Sequence, residues 1–269
     1  DNSFSYICCK PIASIKVDAN QITKTYPDHT TEIKTVASDE VTIEIDKFTK
    51  QFETQKDKAF KFINNGMFGF TAYDAVKYFE DITISKKEDS IQIPDMYYAV
   101  YQNIIAINHF KNEAYIFAHC YETESNIEAI DHLIKMQSFS SYDFKSKGEI
   151  SSNLTDEAFK SNVDLAKKHC NRGDVFQLVL SKKFQQDFKG DDFNVYRALR
   201  SINPSPFLFY FDYGKFKIFG SSPEAQLVVE NQKAEIHPIA GTFARTGDDL
   251  KDAELAKKLV ADKKENSEH

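Results

Sequence analysis

Glu265 and Glu268 lie three residues apart near the end of the 269-residue sequence, in the run Lys-Glu-Asn-Ser-Glu-His. On a helix this spacing places both carboxylates on one face, where they could bind a single cation. Leu255 and Leu259 form the apolar stripe of the same predicted helix, and the two glutamates point away from it. The pattern therefore allows either a cation site or a solvated acidic face.

A third glutamate, Glu224, follows Pro223 in the run Gly-Ser-Ser-Pro-Glu, directly after a predicted strand. Proline has no backbone N–H, so regular strand pairing is expected to end there and the carboxyl group to project from a rigid turn. Such a group could act as a general acid that protonates a leaving group. The alternative is an ordinary solvated glutamate.

Gln177 lies in a predicted strand from Val175 to Ser181. The two-residue period of a strand places Phe176 and Leu178 on one face and Gln177 on the other, beside valines. An amide on a mostly apolar strand needs a hydrogen-bond partner, and in most proteins that partner is structural.

The segment Pro-Ile-Ala-Gly-Thr ends the last predicted strand with Ala240, Gly241 and Thr242. A backbone N–H and a threonine hydroxyl at a strand end can donate hydrogen bonds to a substrate carboxylate. Without further context, the same residues predict only a turn.

Taken in order, Gln177, Ser-Pro-Glu224, Pro-Ile-Ala240-Gly-Thr242 and Lys-Glu-x-x-Glu268-His resemble the chorismate-utilising enzymes, and the resemblance extends over essentially the whole chain. In that family, the water-using branch has a lysine at the position of Gln177, and the aminodeoxychorismate synthases have a nucleophilic lysine at the position of Ala240. Neither lysine is present here. The resemblance therefore implies the large, chorismate-binding subunits of anthranilate synthases.

The resemblance implies amination of chorismate at C2, loss of the 4-hydroxyl group and elimination of pyruvate to give anthranilate for tryptophan biosynthesis. Glu224 would assist the departure of the hydroxyl group. Gln177, unlike a lysine, is no general base. Ammonia would come from a glutamine amidotransferase subunit, because this chain shows no Cys-His-Glu glutaminase constellation.

The resemblance also implies a Mg²⁺ cofactor, bound directly by Glu268 with Glu265 in support. Ala240, Gly241 and Thr242 would contact the substrate. A second pair of metal-binding glutamates is expected beyond His269, so we expect the 269-residue chain by itself to be inactive.

Two positions depart from the family pattern. Lys263 stands where relatives commonly have a proline that would break the helix and redirect the glutamates after it. Phe243 stands where relatives usually have an arginine, although Arg245 lies two residues further on. Both departures concern the geometry of the expected site.

The run Asn-Pro-Ser-Pro-Phe-Leu, which includes Pro206, Phe207 and Leu208, predicts a rigid loop that enters a strand. It is similar to a segment at the regulatory site of tryptophan-inhibited large subunits. The resemblance implies that L-tryptophan could bind there as a feedback inhibitor.

Two other functions stay open. The first is that of aminodeoxychorismate synthase component I, against which Ala240 counts. The second is that of a non-catalytic module that binds a glutaminase partner or tryptophan. The chain begins at Asp1 and stops at His269 within a predicted helix, so we expect it to be truncated at both ends.

The fold that must position these residues is predicted to be α+β, with antiparallel β-sheets packed in a sandwich and helices outside. We expect an N-terminal region over 1–140, a polar linker over 141–153 and a chorismate-binding region over 154–269 that is incomplete at its C-terminus.

Hydrophobic and turn patterns predict the individual elements. Helices are expected over 46–64, over 125–136 and from the cap Thr155 to Gly173. Strands are expected over 98–109, 114–121, 207–213, 216–219, 225–230 and 233–239.

The composition fits a soluble cytoplasmic protein, with 41% hydrophobic and 28% charged residues and no apolar run long enough to span a membrane. A formal charge of −7 argues against a nucleic-acid partner. The four cysteines are too few and too irregularly spaced for a disulfide framework or a zinc site.

Overall fold

A computed structural model describes residues 4–54, 59–84, 92–136, 139–140, 142–239 and 241–268. The chain divides into two compact units. The first comprises Asp1–Ser138 and Phe211–Ile218, and the second comprises Phe139–Tyr210 and Phe219–His269. No helix in the described ranges combines the length and the apolar character that crossing a membrane requires.

In the described part of the first unit, six strands form one antiparallel sheet: β1 (Phe4–Asp18), β2 (Gln21–Thr25), β3 (Thr31–Thr35), β4 (Met67–Thr71), β5 (Met96–Asn108) and β6 (Glu113–Ala118). The strand order is β3-β2-β1-β5-β4, and β6 pairs with the C-terminal half of β5. The predicted long antiparallel pair is therefore confirmed as β5 and β6. Asn112 has φ 54° in the turn between them, a conformation that asparagine tolerates.

Among the described residues of 4–136, two helices and two 3-10 turns accompany the sheet: α1 (Val41–Thr49), α2 (Ile127–Met136), Ser38–Glu40 and Tyr73–Tyr78. The helix predicted over 125–136 is confirmed as α2. The core lies where alternate residues of β1 meet helix α1, with Ile15, Val17, Val41 and Phe48 buried together. Residues 41 and 48 lie seven apart, two helical turns, and so share one face of α1.

The helix predicted over 46–64 is wrong in extent, because α1 already ends at Thr49. Phe60, which suggested its continuation, and the nearby Phe62 have contacts with the sheet. The ring centroid of Phe60 lies 5.0 Å from that of Phe117 on β6, and Phe62 packs at 5.1 Å against Tyr115. Packing of these rings on the sheet takes precedence over the helical period in the sequence.

The second unit contains most of the remaining elements: β7 (Phe144–Ser152), α3 (Asp156–Arg172), β8 (Phe184–Gly190), α4 (Phe193–Ile202), β9 (Phe207–Asp212), β10 (Lys217–Ser222), β11 (Val228–Glu230), β12 (Lys233–Glu235), α5 (Asp249–Ala261) and α6 (Lys263–Glu268). The strands pair as β7–β8, β9–β10 and β11–β12. The tip of the β9–β10 hairpin belongs to the first unit, where Tyr213 stacks on Tyr97 with ring centroids 4.4 Å apart.

The local signals around α3 predicted its ends correctly. Thr155 accepts a hydrogen bond from the backbone N–H of Ala158, and Gly173 ends the helix with φ 79°. The α+β class with antiparallel sheets is likewise confirmed. Within the predicted linker, Phe144–Ser152 form strand β7, whose backbone pairs with β8.

The strand predicted over 175–181 is also wrong, because this segment has no regular secondary structure. Leu178 and Leu180 line a cavity of about 350 Å³ together with Val163 and Ala166 of α3. A strand requires a neighbouring strand to satisfy its backbone, and no described strand pairs with this segment.

Glu44 on α1 forms a cluster with three lysines of the first unit. Its carboxylate lies 2.6 Å from Lys24 Nζ, 3.1 Å from Lys34 Nζ and 3.0 Å from Lys47 Nζ. Lys24 is only 4% exposed. Hydrogen bonds from Lys24 and then from the other two lysines lower the pKa of Glu44 from 4.5 to about 2.

We predict that Glu44→Gln lowers the free energy of unfolding by about 3 kcal/mol, because the buried Lys24 ammonium group loses its nearest counter-charge and keeps only Glu32, whose carboxylate lies 4.0 Å away. Asp46→Asn on the same helix removes an exposed pair with Lys50 and is the matched control, with an expected change below about 0.5 kcal/mol. Urea titration followed by circular dichroism measures both. Equal effects of the two variants would contradict the prediction.

The same cluster predicts a pH dependence. Because the folded-state pKa of Glu44 lies below its ordinary value of 4.5, its stabilisation is complete above that pH and is lost as the pH falls toward 2. The Glu44→Gln variant should therefore lose less stability than the parent chain over this acid range. If both proteins lost the same free energy of unfolding over this pH range, the cluster would not be the cause of the pH dependence.

Candidate functional site

The helix that carries the two C-terminal glutamates is interrupted at Asp262. Helix α5 ends at Ala261, and Asp262 adopts an extended conformation with φ −69° and ψ 124°. Its Oδ1 then accepts hydrogen bonds from the backbone N–H groups of Lys264 at 2.9 Å and Glu265 at 3.1 Å. Asp262 is thus the N-cap of α6.

This interruption changes the direction of the glutamates. Glu265 and Glu268 do not continue the helix that carries Leu255 and Leu259, so the expectation that they point away from its apolar stripe does not hold. The break also needs no proline at residue 263, because the aspartate before it performs the same function. Both glutamates are partly buried.

Glu265 lies directly against the backbone of Gly241. A Cβ atom on residue 241 would lie 2.0 Å from Glu265 Oε2, closer than any two such atoms can approach. Oε2 is buried and has no hydrogen-bond partner among the described residues, whereas Oε1 lies 3.2 Å from Lys264 Nζ. One oxygen of the Glu265 carboxylate is therefore buried without a hydrogen-bond partner among the described residues.

Gln177 lies beside Glu268, with its Nε2 3.4 Å from Glu268 Oε1. The contact is long for a hydrogen bond, and Gln177 is exposed. The amide reaches the glutamate from the irregular segment 175–181 rather than from a strand. The spatial proximity of Gln177 and Glu268 does not depend on the strand that the sequence suggested.

Glu224 follows β10 in a turn where Ser222 Oγ contacts its backbone N–H and C=O groups. Its side chain is exposed, and Oε1 accepts a hydrogen bond from the backbone N–H of Ile239 at 3.2 Å. Ile239 immediately precedes the Ala-Gly-Thr segment. The bond therefore holds the carboxylate of Glu224 at that segment.

Three contacts thus connect the residues that the sequence singled out. Glu224 contacts Ile239, Gly241 adjoins Glu265, and Gln177 approaches Glu268. All of them lie in the second unit. Thr242 follows Gly241 and is exposed, whereas Ala240 lies outside the described residues. The chemical roles of these residues stay predictions.

The donor set suits a hard cation. Two carboxylates with one free oxygen are what Mg²⁺ commonly takes from a protein, since it keeps its other positions for water or substrate. Within the described residues, no group of three or more His, Cys, Asp or Glu side chains is gathered as a metal site. Binding of Mg²⁺ by Glu265 and Glu268 stays a prediction.

Arg245 has a structural partner that the sequence did not reveal. Its Nε lies 2.5 Å from Asp252 Oδ2 on α5, while Thr246 donates to Asp252 Oδ1 from both its backbone N–H and its hydroxyl group. The backbone bond from Thr246 is the main reason that the pKa of Asp252 falls to about 2. Arg245 therefore anchors the loop after Thr242 to α5.

The residues considered for tryptophan binding lie at the start of β9. Pro206 and Phe207 are exposed, and Leu208 is partly buried. The loop before them is held by Ser221 Oγ, which donates a hydrogen bond to the carbonyl oxygen of Asn203 at 2.6 Å. Their regulatory role stays a prediction.

Two contributors to the site went unrecognised in the sequence, Asp262 and the backbone N–H of Ile239. The first had a signal, because Asp262-Lys-Lys-Glu265 matches the spacing of a helix capping box. The second had none, since every residue except proline carries a backbone N–H.

Comparison with known proteins places the chain among characterised relatives. The family model described as chorismate binding enzyme matches residues 3–269. Anthranilate synthase component 1 of Acetivibrio thermocellus is 34% identical over 226 residues, which are 77% of this chain and 45% of that protein. Aminodeoxychorismate synthase component 1 of Bacillus subtilis is 28% identical over 230 residues, 82% of this chain and 48% of that protein.

The fold agrees with a solved relative. The crystal structure of anthranilate synthase component I from Streptococcus pneumoniae TIGR4 matches with a TM-score of 0.73 and 25% identity, covering 99% of this chain and 59% of that one. The chain spans about half the length of the curated relatives that it matches.

We predict that Asp252→Ala accelerates hydrogen exchange of the Thr246 amide by on the order of tenfold at neutral pH, because the amide loses its charged acceptor. Asp249→Ala is the control, since Asp249 is fully exposed and lies 3.7 Å from Arg245. Exchange measured by NMR compares the two. Unchanged exchange in Asp252→Ala would show that the loop is held by other contacts.

Proposed function

This chain belongs to the chorismate binding enzymes, and from that membership we propose that it forms the chorismate-binding part of an anthranilate synthase. The protein would convert chorismate and ammonia to anthranilate and pyruvate. The observation that carries the proposal is the contact set that gathers Glu224, Gly241, Glu265, Gln177 and Glu268 in one unit.

The choice among chorismate chemistries rests on two side chains and on the relatives. Gln177 and Ala240 cannot act as a base or as a nucleophile, which disfavours the water-using and covalent branches. Relatives named anthranilate synthase component 1 include those of Acetivibrio thermocellus, Aquifex aeolicus and Lactococcus lactis. The aminodeoxychorismate synthase of Bacillus subtilis is similar as well, and Ala240 argues against that activity here.

In the proposed reaction Glu224 is the general acid. The backbone N–H of Ile239 holds one oxygen of its carboxyl group, and the other oxygen is free to donate a proton to the departing 4-hydroxyl of chorismate. Fixing the carboxyl group through a backbone donor restricts its rotation, which keeps the acid oriented toward the reacting centre.

Glu268 and Glu265 would hold Mg²⁺, and the free Oε2 of Glu265 is the observation that supports this assignment. When bound, the ion supplies a positive charge that anchors and polarises the ring carboxylate of the substrate. The Gly241 N–H and the Thr242 hydroxyl would donate to a carboxylate of the same substrate. Ala240 would contact the same substrate.

Ammonia would arrive from a glutamine amidotransferase subunit, since a glutamine at position 177 does not generate a nucleophile. Within the same proposal, L-tryptophan would act as a feedback inhibitor at Pro206, Phe207 and Leu208. The rigid Asn-Pro-Ser-Pro loop supports such a site, because it presents an exposed phenylalanine at the entry to β9.

We predict that the protein expressed from its complete coding sequence forms anthranilate when supplied with chorismate, ammonium and Mg²⁺. Chromatography of the products identifies the compound. Aminodeoxychorismate or isochorismate as the main product would overturn the proposed chemistry.

We further predict that Glu224→Gln lowers turnover by on the order of a hundredfold or more, because glutamine retains the shape of the side chain but cannot donate the proton. The melting temperature should change little, since Glu224 is exposed. Glu230→Gln, on β11, is the matched surface control. Full activity of Glu224→Gln would leave Glu224 as an ordinary surface residue.

A further inference from the structure

Glu265 occupies an unusual position for the third residue of a capped helix. In a capping box, a glutamate at this position turns back to accept a hydrogen bond from the N–H of the capping residue. Here the backbone N–H of Asp262 donates to the carbonyl oxygen of Leu259 at 3.2 Å instead. The helix start is therefore completed without the Glu265 side chain, which is left free to extend toward residue 241.

The space that receives the Glu265 carboxylate exists only because residue 241 is a glycine. A Cβ atom there would lie 2.0 Å from Oε2, 2.5 Å from Cδ and 3.1 Å from Cγ of Glu265. The φ angle of Gly241 does not lie in the positive range, so its backbone does not itself demand glycine. The requirement comes from the neighbouring carboxylate.

We propose that Asp262 and Gly241 are positioning residues for Glu265. Asp262 starts a new helix so that Glu265 faces the segment after Ile239, and Gly241 leaves the room that its carboxylate fills. The inference rests on the proposed function in one respect, namely that the ligand of the positioned carboxylate is a divalent cation. The placement of the side chain is independent of that ligand.

Lys263 offers a way to separate the conformation at Asp262 from its charge. Proline is well tolerated at the first position of a helix and forces the preceding residue into extended geometry. The φ and ψ angles of residue 262, −69° and 124°, already match what a following proline demands. Lys263→Pro should therefore impose the helix break even when the capping carboxylate is absent.

The first test is geometric and is made by NMR on the full 269-residue chain. We expect a nuclear Overhauser contact between the α protons of Gly241 and the γ protons of Glu265. It should disappear in Asp262→Ala, persist in Asp262→Asn, which can still cap, and return in Asp262→Ala/Lys263→Pro. Asp248→Ala, which removes the N-cap of α5, is the matched control and should leave the contact unchanged.

Two results would overturn the role of Asp262. One is a contact that persists in Asp262→Ala. The other is a contact that disappears in Asp262→Asn, which would mean that charge rather than capping places the glutamate.

For Gly241, we expect Gly241→Ala to shift the Glu265 γ-proton resonances with little change in melting temperature, since a flexible carboxylate can move aside. Unshifted resonances would refute its part in the proposal.

The second test measures Mg²⁺ affinity by calorimetry for the same substitutions in the protein expressed from its complete coding sequence, because a second pair of metal ligands is expected beyond His269. Disturbing a residue that orients a ligand weakens metal binding by about tenfold or more, so Asp262→Ala and Gly241→Ala should each show such a loss. The loss of affinity in Asp262→Ala should be recovered by adding Lys263→Pro, and Gly241→Ala should have no further effect in a Glu265→Ala background.

If the geometric results hold while Mg²⁺ affinity is equal in all variants, the positioning stands and the cation assignment in the proposed function fails. If the geometric results fail, the positioning is refuted whatever the affinity.

Discussion

The pair of hydrogen bonds from the Lys264 and Glu265 amides to the Asp262 carboxylate is the interaction on which the candidate site depends. These bonds stop α5 from continuing and start α6 in a new direction. Had the helix run on, Glu265 would have stayed on the polar side of α5. The interaction is local, lies within the four residues from Asp262 to Glu265, and decides where a carboxylate 24 residues after Gly241 is placed.

The two units are held together internally by different means. The first has a conventional core between its sheet and α1, and it also buries Lys24 against Glu44. None of the described residues of the second unit is buried, and Phe176 and Val179 are 77% and 83% exposed. The candidate site therefore lies in the unit whose described residues are all partly or fully exposed.

Sequence-based prediction succeeded where local interactions decide the structure and failed where long-range contacts decide it. Thr155 and Gly173 marked the ends of α3 correctly, because a cap and a left-handed glycine act within one helical turn. The helix over 46–64 was overextended, since the ring of Phe60 prefers Phe117 on a distant strand. The strand over 175–181 did not form, because no described strand pairs with it, and its alternating leucines line a cavity beside α3. In both failures the apolar residues do follow the expected pattern, but the residues that they face lie elsewhere in the sequence.

The sequence alone determined which chemical groups are available: an acid after Ser-Pro, a glutamate pair three apart, and neither lysine that would direct chorismate chemistry elsewhere. It also contained the Asp-x-x-Glu spacing that starts α6. Only the tertiary structure decided that Glu224 meets Ile239 and that Glu265 fills the space beside Gly241. Those contacts join residues 15 and 24 positions apart, and they depend on the path of the intervening chain, which local propensity does not specify.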